Sequence, residues 1–160
     1  MKNNVSQAIA LIVDAYMKES GEMTLDLANA LADYVKVKAS EMGVNAVVAV
    51  TNSGGNPVTV QCMNDSYIAS YDIALNKAFT VVALKMSTST LKPLAQPGES
   101  LYGIQFTNNG RIVIFGGGVP LYNKEGKIIG GLGVSGGSEE QDTALGDLGG
   151  EILAACIKNL

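Results

Sequence analysis

Residues 111–141 read RIVIFGGGVPLYNKEGKIIGGLGVSGGSEEQ, and this stretch decides the fold. Its two apolar runs, residues 112–115 and 128–134, predict β-strands. Between them, Asn123 and Gly126 bound a predicted turn, because glycine accepts a positive φ and asparagine can cap the bend. Side chains alternate between the two faces of a strand. The second run therefore predicts one face made of Ile129, Gly131, Gly133 and Ser135, and an opposite face made of Ile128, Gly130, Leu132 and Val134.

Glycines in this stretch predict a close approach of other atoms to the backbone. For the row in the second strand, a packed helix is the simpler interpretation and a ligand is the alternative. The triplet Gly116, Gly117 and Gly118 follows a strand end, where backbone N–H groups can bind a carboxylate or phosphate. We therefore interpret the triplet as part of a ligand site.

Residues 131–136 also spell GxGxxG, the pattern of dinucleotide-binding turns. That site needs a second parallel strand after the following helix. The residues after Gly136 predict one helix and no further strand, which excludes a nucleotide site of this kind.

Composition predicts a single domain over residues 1–160. The resemblance to a known family, given below, implies that residues 1–23 are an extra N-terminal helix and residues 24–160 the core. The chain is 47% hydrophobic and carries a net charge of −4, with no basic run, so we expect no nucleic-acid partner. We find no export signal and no apolar run of about 18 residues, so we expect a cytoplasmic protein without a membrane partner. Histidine and CxxC are absent from the sequence, which excludes histidine chemistry and predicts no metal site.

Periodicity predicts the order α-α-β-β-α-β-β-β-α. Residues 44–50 and 57–63 form an antiparallel hairpin, and three more strands follow the long helix at 66–86. This pattern predicts an α+β fold in three layers, with helices on both faces of an antiparallel sheet. The long helix shows one large apolar face, made of Ile68, Tyr71, Leu75, Phe79, Val82 and Met86.

Several motifs, in order, resemble the GlcG/HbpS family, which includes the C-terminal domain of PduO-type cobalamin adenosyltransferases. They are VVAVTNSGGNPV at 47–58, IALNKAFTVVAL at 73–84, QPG at 96–98, VIFGGGVPL at 113–121 and IIGGLGVSGGSEEQD at 128–142. The resemblance covers about residues 24–155. It implies a profilin-like three-layer α/β/α fold with a five-stranded antiparallel sheet, and homo-oligomers that are octamers in some members. It also implies haem binding in some members and a setting near cobalamin-dependent diol metabolism in others.

The ligand-binding residues that we predict are Lys77, Tyr102, Gly116, Gly117, Gly118, Pro120 and Ser135. Lys77 is a lone cation on a mostly apolar helix, and it is either a surface lysine or a charge that faces the glycine triplet. Tyr102 lies in a long connection, where it either packs in the loop or covers an apolar ligand. Acidic residues at 139–142 complement the dipole of the last helix, and a carboxylate pair for acid–base work is the alternative.

We therefore expect a small-ligand-binding, homo-oligomeric protein, accessory to cobalamin-dependent diol or glycerol metabolism. The ligand is haem or another tetrapyrrole, or a small anionic metabolite. The cofactor is therefore unknown. The resemblance implies haem, but without histidine the haem iron needs a tyrosine, methionine or cysteine ligand or none. Two alternatives stay open: an enzyme acting on a small hydroxyacid or diol-derived metabolite, and a scaffold or chaperone for an enzyme of the cobalamin pathway.

Overall fold

The computed structural model describes residues 2–18, 21–158 and 160. Two helices, α1 (Lys2–Lys18) and α2 (Leu25–Glu41), precede the hairpin of β1 (Val47–Asn52) and β2 (Pro57–Cys62). Next come α3 (Ile68–Leu84), α4 (Thr88–Leu94) and two 3₁₀ turns (Ile104–Phe106 and Asn108–Gly110). Strands β3 (Gly118–Tyr122) and β4 (Ile128–Ser135) are followed by α5 (Glu139–Lys158). No helix in the described part of the chain is long and apolar enough to span a bilayer.

The sheet is antiparallel throughout and has the strand order β2-β1-β4-β3. It has four strands in the described residues, so the predicted fifth strand is wrong. Residues 112–115 form no strand, because backbone hydrogen bonds of this segment are made with α3 and not with a neighbouring strand. The N–H of Val113 donates to the hydroxyl of Thr80 on α3 at 3.0 Å, and that hydroxyl also bonds the carbonyl of Arg111. This segment therefore packs beside α3, and the third strand begins only at Gly118.

Helices cover both faces of the sheet, as the sequence predicts. On β1, Val47 and Ala49 pack against Ala74 and Ala78 of α3. The alternate residues of β1 point into a larger cluster with α1, α2 and α5. Helix α1 lies outermost on that side and packs on α2 and α5. The result is a mixed α and β fold; the finer likeness to profilin stays a prediction.

The large apolar face predicted for α3 is not the face that packs on the sheet. The helix turns its small side chains towards the sheet instead. Ala74 and Ala78 are fully buried, whereas Ile68 is 97% exposed. A Cβ on Gly131 or Gly133 of β4 would collide with the carbonyls of Ala78 and Ala74. The glycine row therefore lets α3 pack closely on the sheet, as the simpler interpretation predicts. The large residues at the start of α3 are exposed on the outer side of that helix.

A register shift in the β3–β4 pair also corrects the predicted faces of β4. Leu121 pairs with Gly130, and Tyr122 pairs with Ile128, so Ile129 has no partner across the ladder. Such a bulge reverses the alternation of side chains. Ile129 consequently joins the cluster on the α2 and α5 side, and Ile128 lies with Val82 on the α3 side.

Local signals in the sequence position the ends of elements well. Thr24 caps α2 by accepting the N–H of Leu27. Ser138 and Gln141 form the capping box of α5, each side chain accepting the other's backbone N–H. Asn123 accepts the N–H groups of Glu125 and Lys127 in the turn before β4. These contacts fix the entry of α5, where the candidate site lies.

Candidate functional site

Lys77 is a buried lysine in the interior of α3, not a surface one. Its side chain is fully enclosed, and its ammonium donates to the carbonyl of Val134 at 2.7 Å and to Oδ2 of Asp142 at 3.3 Å. The ring of Phe115 covers it, with the ring centre 4.9 Å from Nζ, within range of a cation–π interaction. Two oxygens and an aromatic face thus surround the cation.

Gly117 makes room for this ammonium, as the prediction that Lys77 faces the glycine triplet requires. Its φ is +121°, and a Cβ there would lie 2.6 Å from Nζ of Lys77 and 2.7 Å from the carbonyl oxygen of Val134. The carbonyl of Gly117 accepts the N–H of Val134 at 2.9 Å. No side chain larger than hydrogen fits between these partners without displacing the lysine.

Asp142 belongs to the site but not to the predicted ligand-binding residues, because sequence reasoning favoured a role at the helix dipole. It lies in the first turn of α5, where an acidic side chain is expected to complement the helix dipole. In the structure it is buried, and its Oδ1 accepts the N–H of Gly137 at 2.8 Å while Oδ2 faces Lys77. A lysine among alanines on α3 is the sequence signal that a buried counter-charge must exist elsewhere.

Burial and the neighbouring carboxylates act on the pKa of Lys77 in opposite directions. Burial lowers the pKa of Lys77 below its usual value of 10.5, and the carboxylates of Asp142 and Glu139 oppose that shift. A lysine with a lowered pKa and a neighbouring carboxylate is a combination found in acid–base sites and also in structural ion pairs.

Glu139 links three elements at the edge of the site. Lys92 of α4 donates to both of its carboxylate oxygens, at 2.8 and 2.6 Å, and the N–H of Gly116 donates at 3.2 Å. The bonds from Lys92 and Gly116 lower the pKa of Glu139. This carboxylate therefore ties the glycine triplet to the start of α5.

The predicted anion nest of the triplet has two of its three N–H groups engaged within the chain. Gly116 donates to Glu139, and Gly118 donates to the hydroxyl of Thr88 at 2.9 Å. Both acceptors are side chains of the protein itself. The triplet thus works here as a close-packing segment around Lys77.

A cavity of about 260 Å³ opens beside this ion pair. Its polar lining includes the carboxylates of Glu139 and Asp142 and the hydroxyls of Ser70 and Ser135, which bond each other at 3.0 Å. Tyr67, Phe115 and Ile73 are its large apolar lining residues. We call this space the acidic cavity. Its acceptors suit the hydroxyl or amine groups of a small molecule.

The structure gathers some of the predicted site residues and separates others. Lys77, the glycine triplet and Ser135 lie together at the end of β4. Tyr102 is 63% exposed and does not line the acidic cavity. Pro120 is half-buried within β3, opposite Gly131. The described residues hold no cluster of three or more histidine, cysteine or carboxylate side chains that could bind a metal ion.

Comparison with known proteins gives the family. Residues 23–149 match the family described as haem degrading protein HbpS-like. The chain belongs to the HbpS-like family. That match begins just before α2, so α1 lies outside it, as the sequence resemblance predicts.

Curated relatives connect this family member to PduO. The chain is 45% identical, over 90% of its length and 93% of the relative's, to an uncharacterised 15.0 kDa protein of the dhaT-dhaS intergenic region of Citrobacter freundii. It is 33% identical, over 88% of its length, to the corrinoid adenosyltransferase PduO of the same organism, of which it spans 44%. The chain thus spans less than half of PduO.

Two solved structures share the fold. Klebsiella pneumoniae protein ORFY is 43% identical, with a TM-score of 0.80 over 83% of this chain and 91% of that one. A PduOC–haem complex is 36% identical, with a TM-score of 0.73 over 76% of this chain and 88% of that one. A haem-bound relative is therefore known at substantial sequence identity.

Proposed function

We propose that this chain is a small-ligand-binding protein whose ligand is haem or a related tetrapyrrole. The observation that carries the proposal is the likeness to the PduOC–haem complex, 36% identical over 76% of this chain. Membership of the HbpS-like family supports the same ligand class.

The chain itself limits how haem is held. It has no histidine, so haem is held either without a side-chain ligand to the iron or with one from tyrosine, methionine or cysteine. The acidic cavity does not suit a tetrapyrrole, because it measures only about 260 Å³ and its charged side chains are already paired, Asp142 with Lys77 and Glu139 with Lys92. The two propionate groups call for a larger site with unpaired basic side chains.

Absorbance titration of the purified chain with ferric haem tests this proposal. We expect saturable binding of one haem per chain, with a spectrum unlike that of two nitrogen ligands. Free haem also adsorbs to apolar patches, so the control is Phe106→Glu, which removes an aromatic residue that is 81% exposed. The stoichiometry should be the same in this variant. A non-saturating titration, or loss of binding in Phe106→Glu, would contradict the proposal.

A small hydroxylated metabolite is a second candidate ligand, for the acidic cavity. Its carboxylates and the Ser70–Ser135 hydroxyl pair favour a diol or polyol over the small anion that the sequence suggests. An enzyme acting on such a molecule would use Lys77 and Asp142 as its acid–base pair. Thermal shift with 1,2-propanediol and glycerol tests this candidate. We expect a shift that Ser135→Ala abolishes; equal shifts in both proteins would refute it.

We also propose that a second copy of the chain covers the outer face of α3. Its first turn, with the residue before it, exposes Tyr67 by 72%, Ile68 by 97% and Tyr71 by 50%. Large apolar side chains in a contiguous helical turn mark interaction surfaces. The glycines of α5, by contrast, are used inside the chain, because Gly146 and Gly149 pack against Gly117 and Leu132.

The biological setting that we propose is accessory to cobalamin-dependent diol or glycerol metabolism. Relatedness to a corrinoid adenosyltransferase and to a protein of the dhaT-dhaS region supports it. Cys62 and Cys156 are both free, which favours a cytoplasmic location. A scaffold for an enzyme of that pathway is the alternative, and co-purification of a corrinoid-dependent enzyme in stoichiometric amount would favour it.

A further inference from the structure

A second and larger cavity, of about 620 Å³, lies between the C-terminal end of α3 and the turn that joins β3 to β4. Val82 and Ile128 give it an aliphatic wall, and Tyr122 gives it an aromatic one. Tyr122 and Ile128 are register partners, so their side chains stand next to each other on one face of the sheet. Because Lys85 and Lys127 also line this cavity, we call it the lysine groove.

Both cations of the lysine groove are available for an anion. Lys85 and Lys127 are exposed, and no carboxylate of the described residues forms an ion pair with either. Lys38, Lys77 and Lys92 differ, because each already has a carboxylate partner. The groove therefore combines an apolar wall with two uncompensated positive charges.

The backbone at Lys85 adopts a conformation that is unusual for lysine. Lys85 ends α3 in the left-handed conformation, with φ 56° and ψ 37°. Glycine is the usual residue at such a helix end, and another residue costs roughly 1–2 kcal/mol there. A lysine at this position keeps an ammonium at the rim of the groove despite that cost.

We propose that the lysine groove is where the tetrapyrrole binds. This inference rests on the proposed function and assigns its site. The ring plane packs on Ile128 and Val82, and the propionate groups pair with Lys85 and Lys127. An iron porphyrin, when bound there, would supply a metal ion that a side chain of the groove can ligate.

Tyr122 is the residue of the groove that would hold the iron. Among the described residues that line the groove, it alone is of a type that ligates haem iron, since no methionine, cysteine or histidine is present there. Its side chain is 45% exposed and so accessible to a ligand. A phenolate ligand is consistent with a chain that has no histidine.

The comparison of the two cavities supports this choice of site. The acidic cavity measures about 260 Å³ and carries two carboxylates, whereas the lysine groove measures about 620 Å³ and carries two ammonium groups. A flat dianion with an apolar body matches the second in both size and charge.

Titration of two probes tests the assignment: ferric haem and iron-free protoporphyrin. The groove variant is Lys85→Ala/Lys127→Ala, and its matched control is Lys36→Ala/Lys38→Ala, which removes two lysines of α2 that already have carboxylate partners. We expect the groove variant to bind both probes at least about tenfold more weakly, since two charged contacts are lost. The control should change affinity by less than about twofold.

A second pair of variants tests the iron ligand. Tyr122→Phe should weaken haem binding and change the ferric absorption spectrum, yet leave protoporphyrin affinity unchanged. Tyr102→Phe, a tyrosine outside the groove, should behave as wild type.

The outcomes separate this inference from the proposed function. If wild type binds neither probe, the proposed function itself fails. If wild type binds haem but the groove variant matches its control, the groove assignment is wrong. If protoporphyrin and haem weaken equally in Tyr122→Phe, the tyrosine only stacks on the ring and the ligand assignment is wrong. All substituted side chains are at least partly exposed, and circular dichroism confirms that each variant is folded.

Discussion

The ammonium of Lys77 lies 3.3 Å from Oδ2 of Asp142, although the two residues are 65 positions apart. Neither side chain is more than 6% exposed. Lys77 belongs to α3 and Asp142 to α5, and these helices cover opposite faces of the sheet. A single buried ion pair at the end of β4 therefore connects the two outer layers.

Breaking this ion pair from one side should be costly. Asp142→Asn keeps an acceptor for Gly137 but leaves the Lys77 charge buried alone, so we expect a loss of about 3–5 kcal/mol. Lys77→Met should cost a similar amount. The double variant should lose clearly less than the sum of the two, because no unpaired charge remains. Urea unfolding measures all three, and additive losses would mean that the pair contributes nothing as a pair.

Gly131 and Gly133, which pack against the main chain of α3, should tolerate no added methyl group. Gly133→Ala places a Cβ against the Ala74 carbonyl, and we expect a loss of about 3 kcal/mol from overpacking. Gly150→Ala is the matched control, because its Cβ meets only the Val119 side chain at 3.3 Å and alanine favours the helix. The control should change stability by less than about 1 kcal/mol. Similar losses in both variants would argue against backbone contact as the cause.

Acid should remove the contribution of Glu139 to stability. Its pKa is lower in the folded state than the ordinary 4.5, so the unfolded chain binds more protons once the pH falls below that value. The stabilisation is present above about pH 4.5 and is lost as the pH falls through the folded pKa. Wild type should therefore be more stable than Glu139→Gln near neutral pH, with the difference shrinking in acid. Chemical unfolding of both proteins at several pH values measures this difference, and a difference that stays constant into acid would contradict the role of Glu139.

Assembly should depend on the outer face of α3. Light scattering of wild type should report a mass that is a multiple of the 16.6 kDa chain. Ile68→Glu should shift it to the single-chain mass, because a charge in an apolar contact is costly. Ala154→Glu, a similar change at an exposed position of α5, should leave the oligomer intact. A monomeric wild type, or an oligomeric Ile68→Glu variant, would disprove this interface.

The sequence predicts the elements better than their orientation. Turn chemistry is local, so the turn at Asn123 is found where the sequence predicts it. The inward face of α3 is decided by its partner strand instead. Because β4 has no side chains at Gly131 and Gly133, only small residues can face it, and the large apolar residues turn outward. Periodicity within one helix carries no information about the size of the opposite surface.

The residues of the candidate site are also predictable only where the signal is local. Lys77 and Gly117 are predictable because each is unusual in its own segment. Asp142 resembles any acidic residue at a helix start, and its role is visible only once the fold brings Lys77 to it. The break at residues 112–115 is also a tertiary effect, since the hydroxyl of Thr80 takes a bond that a neighbouring strand would otherwise provide.

The contact of α3 with Gly131 and Gly133 has a genetic consequence. The atoms that a Cβ would meet there are carbonyls of the main chain of α3, and no substitution can remove a main-chain atom. A larger residue at either position therefore has no compensating change at Ala74 or Ala78. A search for second-site suppressors of Gly133→Ala should recover mutations that stabilise the protein elsewhere, or revertants, and none that restores the contact itself.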